Sequence, residues 1–199
     1  MANHELHDAE LKALTEVCNI GMEHAAIALS QLMGKGVSIQ VPRLQVLEGS
    51  GVSYLLDAQE VTALQLQILG NVRGSILILL LQENAERILE LLLGKLPEKG
   101  EPLSEMERAT LMEVGNILAS ACLNVLGNTL KTTLLPSVPT LMSGKGSEVF
   151  ARATARAGDD ETVVMIDTMF SVSDSLCGGS IFLIPAPASL WAMLGALEQ

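Results

Sequence analysis

The sequence predicts an α/β (α+β) domain in which two pseudo-twofold-related repeats form one mostly antiparallel sheet with two long helices on one face. Three observations carry this expectation. Two long stretches of helical apolar periodicity, about residues 4–33 and 104–126, each precede a set of strand-like segments. Glu16-Val17-Cys18-Asn19-Ile20 matches Glu113-Val114-Gly115-Asn116-Ile117 at an offset of 97, and Val41-Pro42 matches Val138-Pro139 at the same offset. Gly74-Ser75-Ile76 matches Gly179-Ser180-Ile181 at an offset of 105, so the second half carries about eight extra residues. One domain is expected over 1–199, with internal repeats at about 4–94 and 103–197.

The elements follow in order. Leu6, Leu11, Leu14, Val17, Ala25, Ala28 and Leu32 recur at helical spacing, and Gly34 is the stop signal. Residues 37–46 turn β-branched and alternating, with Pro42 inside, which marks an edge or bulged strand. A loop rich in Gly, Ser and Asp is expected over residues 48–60. Strands over Val61 to Leu69 and Gly74 to Leu81 follow, with Gly70-Asn71 between them as a hairpin signal. Residues 83–94 read as a short helix ending at Gly94. After a linker over residues 95–102, Ser104 with Glu107 three residues on makes a capping box for the second long helix. That helix is expected to reach Leu126, with Gly127-Asn128 as its end. An extended segment at residues 130–142 and a polar stretch at residues 144–161 come next. Strands at residues 163–172 and 179–185 and a closing helix at about residues 188–197 complete the chain.

Composition narrows the function. The chain has 199 residues, 49% hydrophobic and only 18% charged, which excludes a disordered polypeptide. The longest unbroken aliphatic run, Ile76 to Leu81, is six residues, whereas a membrane helix needs about 20. The amino terminus is acidic and polar, unlike a secretory signal, so a cytoplasmic protein is expected. The net charge is −11, no basic run exceeds single residues, and aromatics are only 3%. No nucleic acid and no membrane insertion are therefore expected. Cys18, Cys122 and Cys177 are odd in number and far apart, so buried free thiols are expected rather than disulfides or zinc ligands.

The residues with chemical promise lie on the long helices. With Glu113 at 0° on a helical wheel, Asn116, Ser120 and Asn124 fall within about 60° of it. Val114, Leu118, Ala121, Cys122 and Val125 lie on the other side and face the core. The first helix repeats the geometry with Lys12, Glu16, Asn19 and Glu23. A single Glu-x-x-Asn is ordinarily a solvated face. Asn is a mediocre helix former, however, because its amide competes for backbone bonds. Its recurrence with the same Glu and the same downstream Val-Pro points to a function.

The stretch Glu113-Val114-Gly115-Asn116-Ile117-Leu118-Ala119-Ser120-Ala121-Cys122-Leu123-Asn124, followed by Leu135-Pro136-Ser137-Val138-Pro139, resembles the CheC family of chemotaxis phosphatases, whose relatives include CheX and FliY. Glu16-Val17-Cys18-Asn19-Ile20-Gly21, then Ala25-Ala26 and residues 28–35, resembles the family's opening motif. The resemblance implies a phosphatase that dephosphorylates the aspartyl-phosphorylated response regulator CheY. It implies that Asn19 and Asn116 orient a water in line with the phosphorus, while Glu16 and Glu113 dock a lysine of the regulator's active site. An amide suits this role because it donates and accepts without titrating. The resemblance also implies no cofactor of the chain's own, the Mg2+ being supplied by the phosphorylated regulator. It implies CheY-type regulators as partners, with the receptor deamidase CheD as a possible second partner on the later helix and strand of the second half. A non-catalytic or weakly catalytic adapter that binds CheY, CheD or both is the alternative.

Departures from the family pattern concentrate at the first site. Lys12 and Ala109 stand four residues before each Glu, where the family often has Asp or Ser. Gly21-Met22-Glu23-His24 stands where it commonly has Gly-Ala-Gly-Asn. Lys12 is also spaced to pair with Glu16. Elsewhere, His4 and His7 read as tail residues, His24 as a packed or boundary histidine, and Asp159-Asp160-Glu161 as a solvated turn. No nucleotide or nucleophile-elbow motif is present. The purified chain is therefore expected to carry no stoichiometric transition metal. Elemental analysis finding about one zinc, iron or manganese per chain overturns that expectation.

Overall fold

The computed structural model describes residues 8–98, 100–155, 162–172, 175–186 and 189. The closing helix expected at residues 188–197 lies, apart from Ser189, outside the described residues, as do His4, His7 and Asp159-Asp160-Glu161. In chain order the elements are α1 (Asp8–Met33), β1 (Val37–Glu48), α2 (Gly49–Leu56), β2 (Glu60–Gly70), β3 (Gly74–Leu81) and α3 (Gln82–Leu93). The second half continues with α4 (Glu105–Thr129), β4 (Leu134–Pro136), β5 (Thr140–Lys145), α5 (Gly146–Thr154), β6 (Thr162–Val172) and β7 (Ser175–Pro185).

The strands form one seven-stranded sheet in the order β1-β6-β7-β3-β2-β4, with β5 also on β2, and every pairing is antiparallel. Exchanging β1 with β5, β2 with β6 and β3 with β7 turns the order β1-β6-β7-β3-β2-β5 into its own reverse. The proline signals are explained by bulges at matching places. Between Gln40 and Arg43 the register of β1 against β6 slips by one residue. Between Pro136 and Thr140 the chain opposes β2 with one residue too many in the same way. A residue without an N–H fits where ladder bonds are already missing.

Both sheet faces are covered, and this accounts for the unbroken aliphatic run. Ile76, Ile78 and Leu80 of β3 join the core under α1, α3 and α4. Leu77 and Leu79 point the other way and join Val52, Leu56, Val149 and Phe150 of α2 and α5. A central strand covered on both sides has no polar face and so cannot alternate. Phe150 and Phe182 meet edge-on, with ring centroids 5.5 Å apart, sealing α5 onto β7.

Several boundaries correct the sequence reading. The loop expected at residues 48–60 contains α2, and the polar stretch expected at residues 144–161 contains α5. Neither helix has a side-chain cap at its start, so the usual start signal is missing from the sequence. The extended segment at residues 130–142 divides into β4 and β5, and β7 starts at Ser175 rather than at 179. Gly127 does not end α4. The helix runs on to Thr129, and Lys131 takes the positive φ of 52° instead. A Cβ on Gly127 would come 2.7 Å from the Thr132 carbonyl oxygen, so this glycine admits the returning chain. By length and composition α4 could cross a bilayer, but half of its apolar stretch is buried inside the fold.

The capping box is formed. Glu107 N donates to Ser104 Oγ at 3.3 Å, while Ser104 N and Oγ both donate to Glu107 Oε2 at 2.7 Å. The hydroxyl of Ser104, then its backbone N–H, hold the Glu107 carboxyl below its ordinary value. Because the folded pKa is depressed, this stabilisation is present above the usual carboxylate range and is lost as pH falls through the folded value. Ser104→Ala is expected to lower stability by about 1 kcal/mol at neutral pH. In urea titrations the variant should also lose less stability on acidification than the wild type, since part of the acid-sensitive stabilisation is already gone.

Candidate functional site

The two long helices lie side by side on one sheet face, and small residues set how closely. A Cβ on Gly21 would stand 3.3 Å from Cys122 Cα, which brings α1 almost against the backbone of α4. A Cβ on Gly115 would stand 2.8 Å from Leu64 Cδ1, which lowers α4 onto β2. Leu14 and Cys18 lie beside Cys122 and Leu126, and Leu32 lies beside the opening turns of α4. The helices therefore run antiparallel. The Glu-Asn pairs sit on opposite sides of their crossing, with Asn19 and Asn116 about 12 Å apart along the axis.

The polar rows face outward as the wheel predicts. Lys12, Glu16, Asn19 and Glu23 of α1 are exposed, as are Glu113 and Asn124 of α4, while Asn116 and Ser120 are half-buried. Among the described residues, the side chains of Glu16, Asn19, Glu113 and Asn116 make no hydrogen bond or ion pair. Among the described residues, the Lys12 and Glu16 side chains do not pair. Four polar groups are thus held on rigid helices with their bonding capacity unused.

At the second pair the structure builds a cleft. Ala109, Met112, Glu113 and Asn116 of α4 form one wall, and Pro136, Ser137, Val138 and Pro139 form the other, enclosing about 410 Å3. The second wall is pinned to β2 by its bulge. Ser137 N donates to the Gln67 carbonyl oxygen at 2.9 Å, and Gln67 N donates to Ser137 Oγ at 2.9 Å. The hydroxyl thereby replaces a ladder carbonyl that the bulge removes. Val138 is left 80% exposed at the rim, within reach of any partner that touches Asn116.

The first pair has different surroundings. Ile20, one residue beyond Asn19, is 46% exposed, and Ile27 lies exposed further along the helix. His24, expected to be packed or at the stripe's edge, is exposed beside Glu23. Leu32, expected in the core stripe, is 49% exposed, and Leu29 takes the buried position instead. Near the C-terminal end of α1 the apolar stripe is therefore shifted relative to the wheel.

Among the described residues, no thiol near either pair is primed as a nucleophile. All three cysteines are free. Burial pushes the Cys18 thiol up to about 12 and raises Cys177 as well. Cys122 is raised by burial and by the neighbouring Cys18. Among the described residues, no three His, Cys, Asp or Glu side chains converge as metal ligands. What this geometry can do is position: a carboxylate and a carboxamide are offered together at a cleft that is open to a macromolecule. Sequence reasoning found both pairs and the Val138-Pro139 motif. It missed Met112 and the wall the prolines form, because that contact joins α4 to a β-bulge more than twenty residues away.

Fold and site together define an α/β domain that displays Glu-Asn pairs on paired helices. The CheC-like family model matches residues 106–143, which contain the second pair and the proline wall. Along 94% of its length the chain is 25% identical to the putative CheY-P phosphatase CheC1 of Halobacterium salinarum, covering 95% of that protein. It is 30% identical to the CheY-P phosphatase CheC of Bacillus subtilis over 138 residues, 67% of this chain and 66% of that one. Its fold is similar to that of Thermotoga maritima FliY, with a TM-score of 0.80 at 18% identity, covering 97% of this chain and 98% of that one. The chain belongs to the CheC family.

Gly115 is the residue that ties the site to the core. Gly115→Val would drive two methyls into the buried Leu64 side chain and is expected to cost about 1–3 kcal/mol. A urea midpoint equal to that of the wild type would show that α4 does not rest on the sheet there.

Proposed function

We propose that the chain is a protein aspartyl-phosphate phosphatase acting in the cytoplasm on a CheY-type response regulator. The observation that carries this reading is the pair Glu113 and Asn116, unbonded among the described residues and set at the mouth of the proline-walled cleft. The names of its relatives support the same substrate class.

In this reading the regulator brings its own labile acyl phosphate and its Mg2+, which neutralises phosphoryl charge. Asn116 directs a water in line with the phosphorus. The water oxygen bonds to phosphorus, the bond to the aspartyl oxygen breaks, and the aspartate leaves as a carboxylate while the proton passes to inorganic phosphate and solvent. Glu113 pairs with a lysine at the regulator's active site and holds the two proteins in register. Asn19 and Glu16 take the same roles at the first site. The palindromic strand order supports reading the two halves as repeats, each with its own site. The chain needs no nucleophile of its own, consistent with its raised thiols.

The adapter reading, in which the chain binds CheY, CheD or both with little catalysis, draws on the first site, where the exposed Ile20 and His24 give Asn19 a different setting. Catalytic amounts of the chain separate the two. Accelerated decay of phosphorylated regulator supports the enzyme, whereas slowed or unchanged decay supports the adapter.

Asn116→Ala is expected to lower turnover at least about tenfold, equivalent to roughly 1.4 kcal/mol of barrier. Stability should hold or rise, since an amide unbonded among the described residues is replaced by a better helix former. Glu113→Ala should act on docking, so that its defect shrinks at high regulator concentration. Asn19→Ala should cost less than Asn116→Ala, and the double Asn variant should be folded and nearly inactive. A double variant that keeps most of the wild-type rate would sink the proposal.

A further inference from the structure

Beside the second pair, on the other flank of α4, lies a larger groove of about 790 Å3. Leu32 at the end of α1, Leu92 and Leu93 at the end of α3, and Met106 near the start of α4 give it an apolar lining. Met106 is 68% exposed and Leu32 is 49% exposed, high values for long apolar side chains that line one groove. Ala109 and Glu113 line this groove and the proline-walled cleft alike, so the two hollows adjoin across α4. The small side chain of Ala109 leaves the saddle between them low. Glu105 and Glu113 border the groove with negative charge, in a chain whose net charge is −11.

We propose that this groove is the affinity-determining half of the regulator-docking surface, and that it takes an apolar surface element of the receiver domain flanked by basic side chains. The proposal rests on the phosphatase reading above and names where that partner is held. Scale favours this occupant. A specific interface covers about 800 Å2 on each partner, a patch roughly 16 Å in radius. Met106 lies seven residues before Glu113, about 10 Å along the helix. Met106 lies ten residues before Asn116, about 15 Å, so a domain whose footprint centres between Asn116 and Glu113 as it delivers a phosphoryl group reaches Met106 and the groove mouth. An apolar groove inside that footprint loses water when the domain docks, and its acidic border meets the cationic side of a lysine-bearing active site. The cleft and the groove thereby divide the work: Asn116 directs water at the reacting phosphoryl, Glu113 sets the register of the two proteins, and Leu32 and Met106 hold the partner.

The test uses the full chain with Leu32→Gln and Met106→Gln combined. Both side chains are substantially exposed, so the thermal midpoint should stay within a few degrees of the wild type. In dephosphorylation assays KM for the phosphorylated regulator should rise at least about tenfold, while kcat stays within about twofold. An unchanged KM, or a fall in kcat at constant KM, overturns the groove proposal and leaves the phosphatase reading standing. If the wild type shows no turnover, the phosphatase reading fails, and titration with beryllofluoride-loaded regulator decides the docking. Wild-type binding that the double variant weakens at least tenfold then supports the groove. Equal binding by both chains, or no binding by the wild type, overturns it. Sedimentation showing a wild-type dimer that the double variant disperses assigns the groove to a second copy and overturns the proposal as well.

Discussion

The contact on which the rest of this molecule depends is the close approach of α4 to α1 and to the sheet. Gly21 lets the two helix backbones come within a van der Waals contact of one another, and Gly115 lets α4 settle onto Leu64. With its inward side taken up by α1 and by β2, α4 has only a narrow strip left for solvent. Glu113 and Asn116 occupy that strip. Their fixed orientation follows from burial of Val114, Gly115, Leu118 and Ala119 on either side of them. A polar pair on a helix loose enough to roll would present no defined geometry to a partner, and positioning chemistry needs one.

The sheet supports the same end from below. Its central strands are covered on both faces, so they have no solvent-facing side and no freedom to slip register without burying a polar row. Against that rigid floor, the bulge at residues 137–139 lifts the proline wall beside α4 and is tied down through Ser137 and Gln67. The wall is thus an irregularity in the outermost strands of the sheet, held in place by a hydroxyl that stands in for a missing backbone partner. Ordered edges with bulges are common places for a protein to aim side chains at a partner.

The chemistry offered is correspondingly sparing. The three thiols are raised, and the exposed pairs combine a carboxylate with a neutral amide. Such groups can hold a water and a partner's cation in place without titrating a nucleophile of their own. In the proposed reading they serve a substrate that is already activated and that supplies its own metal, the character of an aspartyl phosphate in a receiver domain.

Much of the site was legible because it is local. The Glu-x-x-Asn spacing, the alternation of polar and apolar rows, the Ser104–Glu107 box and the proline marks are properties of short stretches, and each is found where the sequence places it. The short helices α2 and α5 were not legible. Eight- and nine-residue segments without capping side chains cannot stand alone, and they exist here because Val52, Val149 and Phe150 find a second apolar sheet face to cover. The fate of Leu32 was not legible either: periodicity placed it in the core, but at the end of α1 it stands half-exposed in an open groove.

The sequence by itself determined which residues share a helix face, where prolines break the strand ladders and which polar pairs recur. Those follow from backbone periodicity and from the missing N–H of proline. Tertiary structure alone decided that both sheet faces would be covered, that residues 136–139 would stand opposite Asn116, and that Leu32, Leu93 and Met106 would line one groove. These last three residues come from three helices separated by long stretches of chain. No local pattern encodes their meeting, because it is fixed only when α1, α3 and α4 compete for the same sheet face.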